Sequence, residues 1–174
     1  TPGPVVTNCS TSRMTQDLAE KYAVPFFRSQ VGEANVVDLM KQQNAILGGE
    51  GNGGIIDPRV GFVRDSFVGM ALLLDAMCAR EMPISALADE LPRYAIHKTK
   101  VELASEQVPT ALDELEKHFG DASADRLDGL RLDWPDRWLL IRASNTEPIV
   151  RVVAEAPTID AAQQLCDAAA GVIQ

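Results

Sequence analysis

Residues 138–153 read Trp-Leu-Leu-Ile-Arg-Ala-Ser-Asn-Thr-Glu-Pro-Ile-Val-Arg-Val-Val, and their pattern is the clearest structural signal in the chain. Both ends of the segment are rich in β-branched and aromatic residues, which favour strands. The centre is polar, and Pro148 follows it. The pattern therefore predicts two neighbouring strands, residues 138–141 and 149–153, joined by a loop at residues 142–148.

The loop at residues 142–148 carries donor groups of the kind that bind phosphate. Arg142 offers a planar guanidinium that can bind two phosphate oxygens at once. Ser144 and Thr146 add hydroxyl groups, and Asn145 adds an amide. Successive backbone N–H groups in such a loop can also bind an anion. The residues alone leave two interpretations open, a phosphate-binding loop and a solvated loop that contains an arginine by chance.

A second polar segment, Gly-Gly-Glu-Gly-Asn-Gly-Gly, occupies residues 48–54 and follows the predicted strand at residues 45–47. Glycine lets a ligand approach the backbone closely. The carboxylate of Glu50 can accept hydrogen bonds from two neighbouring hydroxyl groups, and the amide of Asn52 can both donate and accept. This chemistry suits the hydroxyl groups of a sugar. A flexible glycine-rich turn is the alternative, because glycine-rich patterns are weak evidence by themselves.

The two segments together resemble the α-D-phosphohexomutase family, which includes phosphoglucosamine mutase, phosphomannomutase and phosphoglucomutase. Residues 49–53 are similar to the family's sugar-binding loop, and residues 142–151 are similar to the phosphate-binding loop of its C-terminal domain. Residues 31–36 and the pair Arg64 and Asp65 resemble further family stretches, in the same order. The preferred hexose stays open, because Asn-Gly-Gly stands where many members have Ser-Gly-His.

The resemblance implies a fold and a domain division. Residues 1–93 would form the third domain of a family enzyme, N-terminally truncated, with an α/β fold and a mixed sheet. Residues 94–174 would form the fourth domain, an α+β fold with an antiparallel sheet and two helices. A family enzyme has four domains, so the N-terminal domains of the same polypeptide are expected as missing partners. The oligomeric state stays open.

The resemblance also implies an activity, the interconversion of hexose 1-phosphate and hexose 6-phosphate through a phosphoserine and a bisphosphate intermediate. The phosphoserine and the Mg²⁺ site would lie in a missing domain, and hexose 1,6-bisphosphate would serve as activator and intermediate. This chain alone is expected to be inactive, with no catalytic residue and no metal ligand. The competing hypothesis is a free-standing, non-catalytic phosphosugar-binding module.

Specific residues acquire roles from the resemblance. The residues expected to bind the sugar are Glu50, Asn52, Gly49, Gly51 and Gly53, and those expected to bind phosphate are Arg142, Ser144, Asn145, Thr146 and Arg151. Whether Glu33, Ser12 and Arg13 reach the active site stays open. The neighbouring Arg126, Arg131 and Arg137 are expected to be solvated residues on strand faces.

Apolar periodicity supports this outline. A strand is predicted at residues 5–8, and a helix capped by Thr11 or Ser12 follows it. The long helix predicted at residues 65–80 carries a stripe expected to be core, made of Phe67, Ala71, Leu74 and Met77. In the second half, strands are predicted at residues 96–103 and 127–132, and helices are predicted to be capped by Ser105 and Thr158.

Composition excludes several classes of protein. The 174 residues carry a formal net charge of −9, which argues against nucleic acid and acidic membrane surfaces as partners. The apolar fraction of 46% argues against disorder, and no apolar run approaches the ~20 residues of a membrane-spanning helix. The three widely spaced cysteines are typical of free thiols in a reducing compartment, so a cytoplasmic location is expected.

Overall fold

The computed structural model describes residues 2–144 and 147–173. The chain divides into two compact units, Thr1–Arg93 and Tyr94–Gln174. The strands of the first unit are β1 (Val5–Asn8), β2 (Phe26–Ser29), β3 (Leu47–Gly49) and β4 (Ile55–Ile56), and its helices are α1 (Met14–Lys21), α2 (Glu33–Gln43), α3 (Ser66–Arg80) and α4 (Ile84–Asp89).

The sheet of the first unit has the strand order β2-β1-β3-β4. Its first three strands are parallel, and β4 runs antiparallel to β3. Helix α2 carries the chain from β2 to β3, and Val36, Val37 and Met40 on its inner face pack with Val6 and Ile56 of the strands. This arrangement confirms the predicted α/β fold with a mixed sheet.

Strand β3 differs slightly from its prediction. Pairing with β1 begins at Leu47 and extends through Gly48 and Gly49, so the strand includes two glycines of the glycine-rich segment. The preceding Ala45 donates its N–H to the carbonyl of Met40 at 2.8 Å, which closes the end of α2. The strand therefore starts later than residue 45.

The predicted core stripe of α3 is wrong for three of its four residues. Phe67 is 80% exposed, Leu74 is 60% exposed, and Ala71 is exposed as well, whereas Met77 is half-buried. The half-buried face also includes Val68, Gly69, Leu72 and Ala76. The helix is apolar on nearly every side, so residue periodicity does not single out the face that turns towards the sheet.

The second unit contains the strands β5 (Ala95–Glu102), β6 (Ser123–Asp125), β7 (Leu130–Asp133), β8 (Trp138–Ala143) and β9 (Ile149–Ala156), with the helices α5 (Val108–His118) and α6 (Ile159–Ile173). The strand order is β5-β9-β8-β7-β6, and every neighbouring pair is antiparallel. Leu115 of α5 and Leu165 of α6 pack against Ile141 and Val152 of the central strands. The predicted α+β fold with an antiparallel sheet and two helices is confirmed.

Several local predictions for the second unit need correction. Residues 127–129 form a turn, in which Gly129 has a φ of 80°, and strand β7 begins only at Leu130. Ser105 lies inside a short 3₁₀ helix, Ser105–Gln107, and does not cap α5. Thr158 does cap α6, because its hydroxyl oxygen accepts a hydrogen bond from the N–H of Ala161 at 3.2 Å.

The prediction that Arg131 is solvated is also wrong. Its side chain is 1% exposed, and its guanidinium lies 4.2 Å from the centre of the Trp138 ring. The guanidinium also pairs with Asp133 at 2.9 Å. Strand β7 is buried on both faces. Leu130 and Leu132 face the helices, and Arg131 lies on the opposite face, where an ion pair and an aromatic ring stabilise it. Arg126 is exposed, whereas Arg137 is half-buried with its guanidinium 5.1 Å from the centre of the Trp134 ring, and neither residue lies in a strand.

Within residues 2–144 and 147–173, no helix has the length and apolar character needed to cross a lipid bilayer.

Candidate functional site

The glycine-rich segment and the end of β1 meet because β1 and β3 are parallel neighbours. Thr7 pairs with Gly49 in the register, so the next residues, Asn8 and Glu50, follow at the same edge of the sheet. The Asn8 amide donates its Nδ2 proton to Oε1 of Glu50 at 2.6 Å. Ligand-binding residues of α/β sheets commonly gather beyond the carboxyl ends of parallel strands. Glu50 occupies such a position.

The start of α2 also contacts Glu50. Gly32 donates its backbone N–H to Oε1 of Glu50 at 3.2 Å. Gly32 has a φ of 127° at the N-cap of the helix, a conformation that glycine adopts without strain. The helix N-terminus presents unpaired N–H groups and partial positive charge, which stabilise a carboxylate. The Glu50 side chain is only 9% exposed, and these donors compensate for its burial.

Arg64 links Glu50 to a second carboxylate. Its Nε lies 2.8 Å from Oε2 of Glu33, and its backbone N–H donates to Oε1 of Glu33 at 3.0 Å. One terminal nitrogen of Arg64 lies 3.5 Å from Oε2 of Glu50. The backbone N–H and the guanidinium of Arg64 hold the pKa of Glu33 below its usual value. Arg64 thus bridges Glu33 and Glu50, the predicted sugar-binding residue.

The glycines of residues 48–54 differ in the structural role that each one has. A methyl group on Gly49 would lie 2.8 Å from the carbonyl oxygen of Gly54, so only glycine lets β3 and β4 approach this closely. Gly53 has a φ of 92°, which L side chains rarely adopt. Gly51 donates its N–H to the hydroxyl of Thr11 at 3.0 Å, and Asn52 donates from Nδ2 to Oε2 of Glu50 at 3.4 Å.

Ser12 and Arg13 lie beside this region but have other partners. The hydroxyl oxygen of Ser12 accepts a hydrogen bond from the N–H of Met14 at 3.2 Å, at the start of α1. Arg13 pairs with Asp17 one helical turn later, at 3.4 Å. Both side chains therefore stabilise the first turns of α1 in this structure.

Two cavities flank the first unit's sheet. A cavity of about 170 Å³ lies against the glycine-rich segment, lined by Thr7, Thr11, Thr15, Gly49, Glu50, Gly53 and Gly54 among others. A larger cavity of about 730 Å³ is lined by residues that include Met40, Ile46, Phe62 and Leu72, and by none of the predicted site residues. Lys41, Asn44 and Arg59 also line the larger cavity, but only the smaller one includes Glu50 and the glycines predicted to bind the sugar.

In the second unit, the register of β8 and β9 brings the predicted phosphate-binding arginines together. Arg142 pairs with Arg151 across the two strands, so their side chains start from the same face of the sheet. Lys100 of β5 pairs with Arg151 on its other side. The three residues form a row across three adjacent strands, named here the basic row (Lys100, Arg151 and Arg142).

The strand β8 is longer than predicted, because Arg142 and Ala143 still pair with β9. This places Arg142 on a rigid strand, where its Nε donates to Oδ1 of Asp128 at 2.9 Å. Ser144 donates its N–H to the carbonyl of Ile149 at 2.9 Å, so this N–H continues the strand pairing and is not available to an anion. The predicted ligands Asn145 and Thr146 lie outside the described residues.

Sequence reasoning missed three residues that this geometry brings to the candidate sites. Asn8 holds Glu50, Asp128 holds Arg142, and Lys100 extends the basic row. A polar residue at the carboxyl end of a predicted parallel strand was a usable signal for Asn8. The other two depend on strand register, and register was not deduced from the sequence.

The described residues contain no group of three His, Cys, Asp or Glu side chains placed to hold a metal ion.

The fold and these segments define an α/β unit with a glycine-rich segment, followed by an α+β unit with the basic row. A family model described as "Phosphoglucomutase/phosphomannomutase, alpha/beta/alpha domain III" matches residues 1–94. A second, described as "Phosphoglucomutase/phosphomannomutase, C-terminal domain", matches residues 99–172. The chain belongs to the phosphoglucomutase/phosphomannomutase family, which confirms the resemblance stated from the sequence.

Individual relatives agree with this assignment. The chain is 34% identical over 164 residues to a phosphoglucomutase/phosphomannomutase of Thermococcus kodakarensis, covering 93% of this chain and 36% of the relative. It is 31% identical to a phosphoglucosamine/phosphogalactosamine mutase of Sulfurisphaera tokodaii, covering 92% of this chain and 36% of the relative. A crystal structure of a family protein from Burkholderia thailandensis superposes with a TM-score of 0.76 at 26% identity, covering 95% of this chain and 36% of the other. The chain thus spans just over a third of the length of these relatives.

Proposed function

We propose that this chain supplies sugar and phosphate recognition to a phosphohexomutase, an isomerase that interconverts hexose 1-phosphate and hexose 6-phosphate. Family membership supports the class of enzyme, and the named relatives are mutases of glucose, mannose, glucosamine and galactosamine phosphates. We propose Thr1–Arg93 as the third domain and Tyr94–Gln174 as the fourth domain of the full enzyme. The phosphoserine, the Mg²⁺ site and the formation of a hexose 1,6-bisphosphate are proposed for the part of the enzyme that this chain does not include.

The basic row is the observation that carries the proposal. Arg142 and Arg151 are cross-strand neighbours, and Lys100 follows Arg151 on the next strand. Within the described residues, neither Lys100 nor Arg151 forms an ion pair, whereas Arg142 pairs with Asp128. Like charges directly opposite in a sheet are destabilising. A bound phosphate would remove this repulsion and accept hydrogen bonds from the guanidinium groups, with Ser144, Asn145 and Thr146 as further proposed ligands.

Glu50 is the proposed reader of sugar hydroxyl groups in the first unit. Its Oε1 is already engaged by Asn8 and by the N–H of Gly32. Its Oε2 lies towards Asn52 and Arg64 at 3.4 and 3.5 Å, longer contacts that a hydroxyl group can replace or join. Asn52 would add an amide that both donates and accepts, while Gly49, Gly51 and Gly53 leave the backbone accessible.

The proposed contribution of this chain to catalysis is positioning. Binding energy from parts of the substrate that do not react can orient the part that does. Contacts of that kind are proposed for both residues. Glu50 would hold ring hydroxyl groups, and Arg142 would hold the phosphate that is not being transferred.

A comparison of two variants in the full-length enzyme tests the proposal. Turnover of glucosamine, glucose and mannose phosphates is measured for the wild type, Glu50→Gln and Arg142→Ala, with Arg126→Gln as a control for loss of an exposed arginine. Both site variants are expected to lose activity on whichever hexose phosphate the wild type prefers, and the control is expected to retain it. Normal activity of both site variants would overturn the proposed sites.

The size of the native protein distinguishes a phosphohexomutase from the alternative, a free-standing phosphosugar-binding module. A native polypeptide of roughly 450 residues is expected, the length at which 164 matched residues make up 36% of a relative. Mass spectrometry of the protein from its source measures this directly. A native chain of 174 residues that binds hexose phosphates would support the module instead.

A further inference from the structure

Asn8 is a buried amide with partners on both sides. It is 2% exposed, at the last position of β1. Its Oδ1 accepts hydrogen bonds from the backbone N–H and the hydroxyl of Ser10, both at 3.0 Å, and from the hydroxyl of Thr11 at 2.9 Å. Its Nδ2 donates to Oε1 of Glu50 at 2.6 Å. These contacts all lie inside the first unit, at the carboxyl ends of β1 and β3.

The orientation of the Asn8 amide follows from its partners. A backbone N–H can only donate, so the atom that faces Ser10 must be the amide oxygen. The amide nitrogen must then face Glu50. The backbone N–H of Gly32 donates to the same oxygen of Glu50, Oε1, at 3.2 Å. Asn8 therefore fixes the direction of the Glu50 side chain.

Thr11 connects Asn8 to the backbone of the glycine-rich segment. Its hydroxyl donates to Oδ1 of Asn8 and accepts from the N–H of Gly51 at 3.0 Å. The side chain of Glu50 and the backbone of Gly51 are thus both tied to the end of β1. A segment as rich in glycine as residues 48–54 has high conformational entropy when unrestrained. The two ties remove part of that freedom.

We propose that Asn8 is a positioning residue that holds the side chain of Glu50 with Oε2 directed to the sugar. This inference rests on the proposed function, in which Glu50 binds sugar hydroxyl groups. Asn8 itself does not touch the substrate. It fixes Oε1, so that Oε2 is the oxygen that remains for a ligand next to Asn52 and Arg64.

Two substitutions at Asn8 separate positioning from simple folding. Asn8→Asp keeps the shape and the acceptor for Ser10 but replaces the N–H donor with a second carboxylate oxygen. Near neutral pH the two carboxylates repel each other, and at lower pH one shared proton restores a donor. Asn8→Ala removes the donor at every pH. Asn35→Asp is the matched control, because Asn35 lies on α2 of the same unit and donates to Val31, not to Glu50.

The first experiment measures kcat/KM of the full-length enzyme for hexose phosphates from about pH 8 to about pH 5, with melting temperatures for all variants. At neutral pH, Asn8→Asp is expected to reduce kcat/KM by about 10- to 100-fold, the range expected for one charge-assisted hydrogen bond. The ratio of Asn8→Asp to wild-type kcat/KM is expected to rise as the pH falls. The corresponding ratio for Asn8→Ala is expected to stay constant, and Asn35→Asp is expected to match the wild type throughout. A deficit of Asn8→Asp that is the same at every pH, or a loss below twofold, would overturn the proposal.

The second experiment needs no sugar and uses the 174-residue chain. The side-chain amide resonances of Asn8 are recorded by NMR in the wild type and in Glu50→Gln, with the amide of Asn35 as the internal control. The Asn8 resonances are expected to shift and those of Asn35 to stay in place. Unchanged Asn8 resonances would overturn the positioning role whatever the activities are. Shifted resonances together with normal turnover of Glu50→Gln would support the role of Asn8 and instead refute the sugar-binding role proposed for Glu50.

Discussion

Arg142 and Arg151 lie directly opposite each other across the antiparallel strands β8 and β9. Cβ atoms at such positions are about 4.5–5.5 Å apart, so two positive side chains share one patch of the sheet face. Asp128 pairs with Arg142 at 2.9 Å and offsets part of the repulsion. Lys100, opposite Arg151 on β5, adds a third positive group. The arrangement favours an anion as the missing neighbour of the row.

The first prediction is that inorganic phosphate stabilises the isolated 174-residue chain. A ligand that binds only the folded state raises stability with its concentration, so the melting temperature is expected to rise in phosphate relative to chloride at equal ionic strength. Arg151→Gln should reduce this rise, because it removes one of the two opposed guanidinium groups. It should also leave the phosphate-free chain as stable as the wild type or more stable, since a repulsion is removed.

Arg126→Gln is the matched control for that measurement, because Arg126 is an exposed arginine of the same unit that pairs with Asp113 and Glu116. It should keep the full response to phosphate. An equal response in both variants would show that phosphate acts through the net charge of the chain and not through the basic row.

The second prediction concerns Arg142 in the full-length enzyme. Arg142→Ala is expected to lower kcat/KM for a hexose phosphate, with a loss of about 2 to 4 kcal/mol in transition-state stabilisation, because a charge-assisted bidentate contact is lost. Arg142→Lys keeps the charge but loses the planar fork, so its loss should lie between those of the wild type and the alanine variant. Steady-state kinetics measure both, and a near-normal kcat/KM for Arg142→Ala would contradict the assignment.

The third prediction separates the two recognition functions. Glu50→Gln removes the charge of the proposed sugar reader but changes nothing in the second unit. It is expected to impair turnover while leaving the phosphate-dependent rise in melting temperature of the 174-residue chain intact. Arg142→Ala is expected to lose both the turnover and the phosphate-dependent rise in melting temperature. If Glu50→Gln diminished the phosphate response as strongly as Arg142→Ala, the division of labour between the two units would be wrong.

The strand pattern made much of the fold predictable, and the failures have specific causes. Strand β1 and the pairing of β8 with β9 followed from apolar runs bounded by polar residues. The face of α3 could not be chosen, because an all-round apolar helix has no dominant stripe. Arg131 was misjudged because its burial depends on the Trp138 ring, a contact between neighbouring strands. Asn8 and Glu50 are separated by 42 positions in sequence, and only the parallel register joins them.

The fourth prediction concerns the three cysteine thiols, Cys9, Cys78 and Cys166. Burial raises the pKa of Cys166 to about 11, the first cause being the loss of contact with water. The thiolate is the reactive form, so Cys166 should stay protonated and unreactive near pH 8. Cys78 is exposed on α3, and Cys9 is buried. Iodoacetamide should therefore modify one cysteine rapidly in the folded 174-residue chain, namely Cys78.

Peptide mapping by mass spectrometry identifies the modified thiol. In denaturant all three cysteines should react at similar rates, which provides the control for intrinsic reactivity. Rapid native labelling of Cys166 at a rate close to that of Cys78 would show that the core around α6 opens readily.

The fifth prediction concerns the exposed apolar side of α3. Phe67 and Leu74 make little contact with the described chain, so replacing both with glutamine should change the free energy of unfolding by only about 0.5 kcal/mol. Glutamine is a good helix former, so the helix itself is retained. Removing two large apolar groups from the surface should at the same time reduce self-association of the 174-residue chain, measured by sedimentation or light scattering.

Leu72→Gln is the matched control in the same helix, because Leu72 is half-buried and lines the larger cavity with Met40. It should destabilise the chain by more than the double exposed variant, because it places a polar amide where apolar surface is partly removed from water. A double variant as unstable as Leu72→Gln would mean that Phe67 and Leu74 are packed in solution and that the exposed face of α3 has been assigned wrongly.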